Sequence, residues 1–523
     1  MLATAFASSA TSGTSRPDVL LVTLDTVRAD HLGAYGYAGA LTPTLDALAQ
    51  SGVVFDNAFT SAPMTLPAHA TLLTGLEPPE HGVRVNGMDQ LPADVSTLAE
   101  ALAAIGYRTS AFVSAFVLNA RFGLARGFAT YDDDLTRTRP QTMPEPLSVS
   151  RSADLVVDAA LAWLGSALID PDRRPFFCWL HLYDAHRPYF VHDELAGTRF
   201  AGEASYDAAI AFADRELGRV VDLLRSEGRL RNTLVVVVGD HGEGLGELGE
   251  TEHGYRLSKG TLRIPLIVAL DGHATPGMRI GALVSLADVF PTILDLAGVA
   301  VRRDGVGRSL RAGLRGNSMQ SRPSYAETML PYSTYRWSPQ QALVTDRWRY
   351  VRSARPELYD RMNDTREEHD VARDHPTEVA RLDAELAARE SAFKRRAAER
   401  ATLDDDARRR LEALGYVVSS SGTDAPAEGL KDIKTMLSVK HLDGRLGRAY
   451  YAGRMSRQRA IAITRKLVRH SPESPPFHQN LGTLLAEEGR TSEAVEQLRE
   501  ALRLDPERGD VRAQLEELLR ARQ

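Results

Sequence analysis

The residues with chemistry in them fall into a few short stretches. Thr65-Leu66-Pro67-Ala68-His69-Ala70-Thr71-Leu72-Leu73-Thr74-Gly75 follows a strand-like run and turns into a predicted helix. A helix start offers free N–H groups and the positive end of a dipole, so a hydroxyl there can attack an anionic ester. The same place equally suits a threonine that only caps the helix. Gly239-Asp240-His241-Gly242-Glu243-Gly244 closes the most β-branched run of the chain, 233–238. Carboxylate and imidazole side by side at a strand tip are ligands for zinc, manganese or calcium, the imidazole weighing against calcium. Asp25 ends the apolar run 19–24, where an α/β sheet places its site, or else it caps the segment that follows. Asp184 and His186 follow the strand-like run 176–183, which contains His181, and His253 lies twelve residues past His241.

The elements that must hold these residues alternate. Strands are expected at 18–24, 53–59, 109–113, 176–183, 233–238 and 265–270, and helices at 42–51, 94–105, 148–164, 206–227 and 285–296. Runs that are apolar without alternation suit strands buried on both faces of a parallel sheet, and the βαβ rhythm predicts a doubly wound α/β fold. From about 323 the texture changes: 342–350 and Glu357-Leu358-Tyr359-Asp360 read as short antiparallel strands, followed by a charged helix at 378–400.

A chain of 523 residues exceeds one ordinary core. The expected division is 1–16 as a tail, 17–320 as the α/β core, 321–417 as a small α+β subdomain, 418–429 as a linker and 430–523 as helical repeats. A net charge of −6 gives no general attraction to nucleic acid or anionic membranes. One cysteine, Cys178, excludes an internal disulfide framework and a cysteine metal cluster. No apolar run is long enough to span a membrane. Residues 1–16 read as a disordered tail or as the remnant of a secretory signal, so periplasmic, secreted and cytoplasmic placements all stay open. In the last segment Ala460 and Ala494 are 34 residues apart, as are Pro472 and Pro506. With Leu481-Gly482, Leu485, Leu498 and Ala501, this pattern resembles a tetratricopeptide helix pair. Two units are too few to stand alone, so the repeats are expected to lean on the core or on a partner protein; a private helical cap is the other reading.

Taken together, 17–400 resembles the sulfatase branch of the alkaline phosphatase superfamily, because separated motifs occur in that family's order. The resemblance implies one tight divalent metal, zinc or manganese before calcium, held by Asp25, Thr65, Asp240 and His241; a second metal stays open, with Asp184, His186 and His253 as its conceivable ligands. It implies Thr65 as nucleophile, with His186 and His253 assisting the leaving group or binding oxyanions. Asn86, His69, Asp184 and Lys259 are the implied substrate contacts. The sequence departs from true sulfatases, which carry Cys or Ser matured to formylglycine, an arginine four residues on, and paired aspartates on the first strand. Here those places hold Thr65, His69 and Asp25-Thr26. Thr-x-Pro-x-His is similar to nucleotide pyrophosphatase/phosphodiesterases, and Asp240-His241-Gly242-Glu243 to phosphoethanolamine transferases. The expected function is metal-dependent hydrolysis of a phosphate or sulfate ester on a small molecule, lipid or glycan, through a threonine intermediate, with phosphate favoured. A phospho-group transferase and a catalytically dead scaffold that binds through its repeats are the alternatives.

Overall fold

A computed structural model describes residues 16–136, 149–300, 306–413, 429–506 and 508–521. The linker expected at 418–429, the tail 1–15 and most of the loop 132–147 fall largely outside them.

Among the described residues a nine-stranded sheet forms the frame. Its order is Met278–Ser285, Val53–Phe59, Leu266–Ala269, Thr233–Gly239, Asp18–Leu24, Phe176–Leu182, Arg108–Phe112, Thr130–Asp132, with the short Arg263–Ile264 also on Val53–Phe59. The central strands alternate their side chains between two cores, as period-two geometry requires. Val19 and Leu21 point to one core with Leu234, Val236 and Val238. Leu20 and Val22 point to the other with Val235 and Val237. Every residue of both strands is buried, which explains their unbroken apolar runs.

The sheet is mixed rather than parallel throughout. Leu266–Ala269 runs antiparallel to both Thr233–Gly239 and Val53–Phe59. The connection 240–262 contains only the 3₁₀ turn Glu247–Gly249 and the one-turn helix Lys259–Leu262 and no crossover helix, so the chain re-enters from the edge it left. Helix limits also move where local hydrogen bonding decides them. The helix expected at 94–105 is Leu98–Ala103, because Thr97 and Glu100 form a capping box. The one expected at 148–164 is Ala153–Leu168. The charged helix is Pro376–Ala392 and stops short of 400.

The second sheet is antiparallel, in the order Ser324–Thr328, Gln340–Val344, Trp348–Arg352, Glu357–Asp360. The run 342–350 is thus two strands joined at 345–347, where the Thr345 hydroxyl accepts from the Trp348 N–H at 2.9 Å. After Pro376–Ala392 and Asp405–Ala413, the last five described helices are Ile433–Tyr451, Arg457–His470, Pro475–Glu487, Thr491–Leu504 and Gly509–Arg520. They do not stand apart. Ile433, Met436, Leu437 and Leu446 share one apolar cluster with Met64, Tyr255, Leu330, Tyr335 and Trp337 of the main body. Trp337 stacks on Tyr335 at 4.3 Å and its indole N–H donates to the Ser471 hydroxyl at 2.8 Å. No helix of the described residues is long and apolar enough to cross a membrane.

Candidate active site

Three adjacent parallel strands end on one edge of the main sheet, with Leu24 level with both Leu182 and Gly239. Their tips deliver Asp25, His181, Asp240 and His241, all fully buried. The chain bends sharply after Asp25: Thr26 sits at φ 57°, a strained value for a β-branched residue. In that bend the Thr26 N–H donates to Asp240 Oδ1 at 3.2 Å, tying the first strand to the third. Gly242 is needed for a different reason, since a Cβ there would lie 1.9 Å from the Gly260 carbonyl oxygen.

Thr65 is the first residue of the helix Thr65–Thr74, buried all round. Its Oγ1 lies 3.2 Å from Asp25 Oδ2 and 3.4 Å from His241 Nε2. Tautomers follow from the partners. The His241 Nδ1 faces the Gly242 carbonyl at 2.9 Å and donates to it, which leaves the Nε2 lone pair aimed at Thr65. His69 Nδ1 donates to the Thr65 carbonyl at 2.7 Å, which leaves its Nε2 bare. Burial lowers both imidazoles to about 3, so both are neutral, the form that ligates metal. His181 accepts the Ser114 N–H at Nδ1 and donates through Nε2 to Asp25 Oδ2 at 3.2 Å.

The carboxylates divide one charge between them. Burial raises Asp25, but the His181 hydrogen bond and the imidazoles of His241 and His186, which carry charge only in the acid range where Asp25 titrates, outweigh it and hold the group below its usual range. Burial first, and then the Asp25 charge, push Asp240 well above its usual value. Asp25 Oδ1, Asp240 Oδ2 and His69 Nε2 are buried without a hydrogen-bond partner. Ligand atoms of Asp25, Asp240 and His241 lie within 4.8 Å of one another, as do those of His69, His181 and Asp240. Neutral imidazoles, unsatisfied carboxylate oxygens and two acids that cannot both ionise are the donor set of a divalent cation, and the residues fit one.

Around this centre, Asn86 accepts the Leu66 N–H at 2.8 Å, and its amide nitrogen is buried with no partner. His253 packs on His241 with ring centroids 4.5 Å apart and on His186 at 5.1 Å. Its Nδ1 meets Glu243 Oε1 at 3.1 Å. Burial opposes its charge, but Glu243 prevails and raises its pKa. His186 is lowered by burial and by the charge of His253.

Two expected substrate contacts lie elsewhere. Both Asp184 oxygens accept the Ala153 N–H, at 3.2 and 3.0 Å, so this carboxylate caps the helix Ala153–Leu168. The Lys259 ammonium donates to the Thr365 carbonyl of the second-sheet subdomain. Conversely, His181 and Glu243 reach the site without being among the expected ligands or catalytic residues. His181, at a strand end with Asp184 and His186, is compatible with a site from its sequence position, but nothing there sets it above His186. Glu243, two residues past His241, was readable as part of the same loop.

An α/β sheet with a buried two-carboxylate, multi-histidine centre at its strand tips, and an antiparallel sheet behind it, is the architecture of an ester hydrolase. The sulfatase family profile matches residues 17–299, and the profile of the N-sulphoglucosamine sulphohydrolase C-terminal region matches 252–394. The chain belongs to the sulfatase family. It is 25% identical over 438 residues to a delta 4,5-hexuronate-2-O-sulfatase of Bacteroides thetaiotaomicron, covering 71% of this chain and 87% of that relative. It is 29% identical over 348 residues to arylsulfatase A of Bos taurus, covering 56% and 67%. Its fold is similar to the phosphonate monoester hydrolase of Agrobacterium radiobacter, with a TM-score of 0.57 at 23% identity, covering 72% of this chain and 96% of that one. Sulfatase-family proteins generally bind a divalent metal ion.

Proposed function

We propose that this sulfatase-family hydrolase cleaves phosphate or sulfate esters through a covalent adduct on Thr65, with phosphate esters favoured. The observation that carries the reading is the position of the Thr65 hydroxyl, 3.2 Å from Asp25 Oδ2 and 3.4 Å from His241 Nε2 in a water-excluded centre. Threonine cannot mature to formylglycine, so the hydroxyl itself must attack. Asp25, Asp240, His241 and the Thr65 oxygen would hold the cation, with His69 and His181 beside them. That cation, zinc or manganese by its mixed nitrogen and oxygen donors, supplies positive charge that makes a hydroxyl acidic at neutral pH.

The chain's own residues do the rest. Asp25 accepts the hydrogen bond of the Thr65 hydroxyl, fixes the oxygen's direction, takes the proton as the oxygen attacks and returns it when the adduct is released. The oxygen attacks phosphorus or sulfur in line and the bond to the ester oxygen breaks. His253, whose protonated form Glu243 favours, gives its proton to the departing oxygen. The free Asn86 amide and the helix N-terminus face the non-bridging oxygens. His186, neutral by burial, takes a proton from the water that then releases the acid from Thr65.

The relatives named above are a sulfatase of a sugar acid and an arylsulfatase, and the solved neighbour hydrolyses phosphonate monoesters. One assay separates these substrates: aryl phosphate, phosphodiester, phosphonate and sulfate side by side, each with zinc, manganese or calcium. Turnover that survives Thr65→Ala would remove the threonine adduct. The described elements support the division into a 17–320 core, a 321–417 subdomain and a repeat segment from 430. For the repeats, Ala460 and Ala494 are both fully buried, and a Cβ at Gly482 would lie 2.8 Å from Leu498 Cγ, as close tetratricopeptide-like helix pairing requires.

A further inference from the structure

The helix Ile433–Tyr451 lies beyond both matched family segments, which end at residues 299 and 394. One of its faces is spent on docking: Ile433, Met436, Leu437 and Leu446 sit in the shared apolar cluster. Another face carries Lys440, His441, Gly444, Arg445 and Arg448, at the spacing that aligns side chains along one side of a helix. All five line a cleft of about 510 Å³ whose opposite wall includes His186, Arg187 and His253. The tail therefore forms one wall of a cleft bordered by His186, Glu243 and His253, the residues that adjoin the reacting centre.

The charges on that wall are not balanced. Lys440 is engaged: it pairs with Glu252 and lies 4.6 Å from the centre of the Tyr255 ring. The acid on the opposite side, Glu243, is held by His253 at 3.1 Å. Arg445 and Arg448 are both exposed, and among the described residues neither is in an ion pair. Arg448 is laid back along its own helix, its guanidinium 3.4 Å from where a Cβ on Gly444 would stand. A longer side chain at 444 would intrude on that guanidinium and narrow the cleft. Arg187, exposed on the facing wall, adds a third cation 5.6 Å from the Tyr189 ring centre. Glu252 feels the Arg448 charge without pairing with it, and planar guanidiniums outside ion pairs suit the forked recognition of sulfate, phosphate or carboxylate oxygens.

We propose that Arg445 and Arg448 bind a second anionic group of the substrate, so that the natural substrate carries a sulfate, phosphate or carboxylate in addition to the ester group removed. This rests on the hydrolase reading of the Thr65 centre, which fixes where the scissile group lies. Specificity then comes from a segment the family core does not supply.

The test uses the full-length protein. Binding of sucrose octasulfate and, separately, of inositol hexakisphosphate is measured by titration calorimetry on the Thr65→Ala protein, so turnover plays no part. The two probes distinguish a sulfated from a phosphorylated source. Arg445→Gln with Arg448→Gln should weaken binding of at least one probe by about tenfold or more and flatten its salt dependence. Arg231→Gln, at an arginine whose side chain is 91% exposed outside the cleft, should change neither. In the parent background the double variant should hydrolyse a 4-nitrophenyl monoester at an unchanged rate while the polyanion loses its potency as an inhibitor. Unchanged polyanion binding, absence of binding in the Thr65→Ala protein, or an equal loss on the monoester would overturn the proposal. A parent protein that hydrolyses no aryl ester with any metal would instead overturn the hydrolase reading, and the calorimetry would still report on the arginines.

Discussion

The pair Asp25 and Asp240 makes a prediction that runs against the usual effect of altering an active-site residue. Their facing oxygens lie within 4.8 Å, so two full charges would repel by at least about 3.5 kcal/mol at an effective dielectric constant of about 20. The metal-free protein avoids this by leaving Asp240 protonated, burial being the larger cause and the Asp25 charge the second. Between the ordinary value of 3.8 and the raised one, the folded state binds more protons than the unfolded chain. Asp240's own contribution to the stability of the metal-free protein therefore falls as pH rises through that window. Asp240→Asn removes the penalty while an amide oxygen keeps the bonds from the Thr26 and His241 N–H groups, at 3.2 and 2.7 Å. The amide N–H₂ replaces an oxygen that has no partner, and leaving it unpaired costs about 1–3 kcal/mol. The net is a gain of about 0.5–2.5 kcal/mol, which for a body of about 400 residues at about 2.1 cal/mol/K per residue is a melting temperature higher by about 0.5–3 °C. Calorimetry after dialysis against EDTA, from about pH 5 to about pH 8, should show the variant's advantage growing with pH. Added zinc or manganese should then raise the parent above the variant. A variant that melts at or below the parent across that range in EDTA would refute the shared-charge account of the centre.

Thr65→Ala should lower kcat on the best aryl ester by about a thousandfold or more with an unchanged far-ultraviolet spectrum, whereas Thr65→Ser should keep measurable turnover. Glu243→Gln takes away the charge that raises His253, so the alkaline limb of kcat/KM should move to lower pH; a limb that stays put would clear His253 of the acid role. Trp337→Ala opens a fully buried site between the body and the tail and should cost about 3–5 kcal/mol. Its readout is limited proteolysis releasing the helices beyond residue 430 from a body that stays intact.

What the sequence could and could not tell divides along the range of the interactions involved. Runs such as 19–24 and 233–238 announce themselves because both faces of those strands are buried, and the cost of burying a polar side chain there keeps them apolar. Asp25, Asp240 and His241 stand out against that background because they interrupt it at the tip. His181 interrupts it one residue from the end, inside the strand, and its meaning lies in a hydrogen bond to a residue 156 positions away. Nothing in its neighbourhood encodes that partner. Asp184 errs in the opposite direction: a carboxylate beside two histidines looked like a ligand, but its nearest demand was the unsatisfied N–H of a helix 31 residues back. Lys259 likewise answers to a carbonyl 106 residues on. The antiparallel return of Leu266–Ala269 was hidden because a buried strand reads the same in either direction. The tail was legible as helices through its 34-residue offset, yet the offset speaks only of helix packing on helix. That Arg445 and Arg448 face the histidines of the core depends on how the repeats dock, which is decided by Tyr335 and Trp337 against Phe477, at 5.3 and 6.3 Å, rather than by any pattern within the repeats. Chemistry that one strand tip carries can be read from a line of residues; chemistry that two separately folded surfaces make together has to wait for the surfaces to meet.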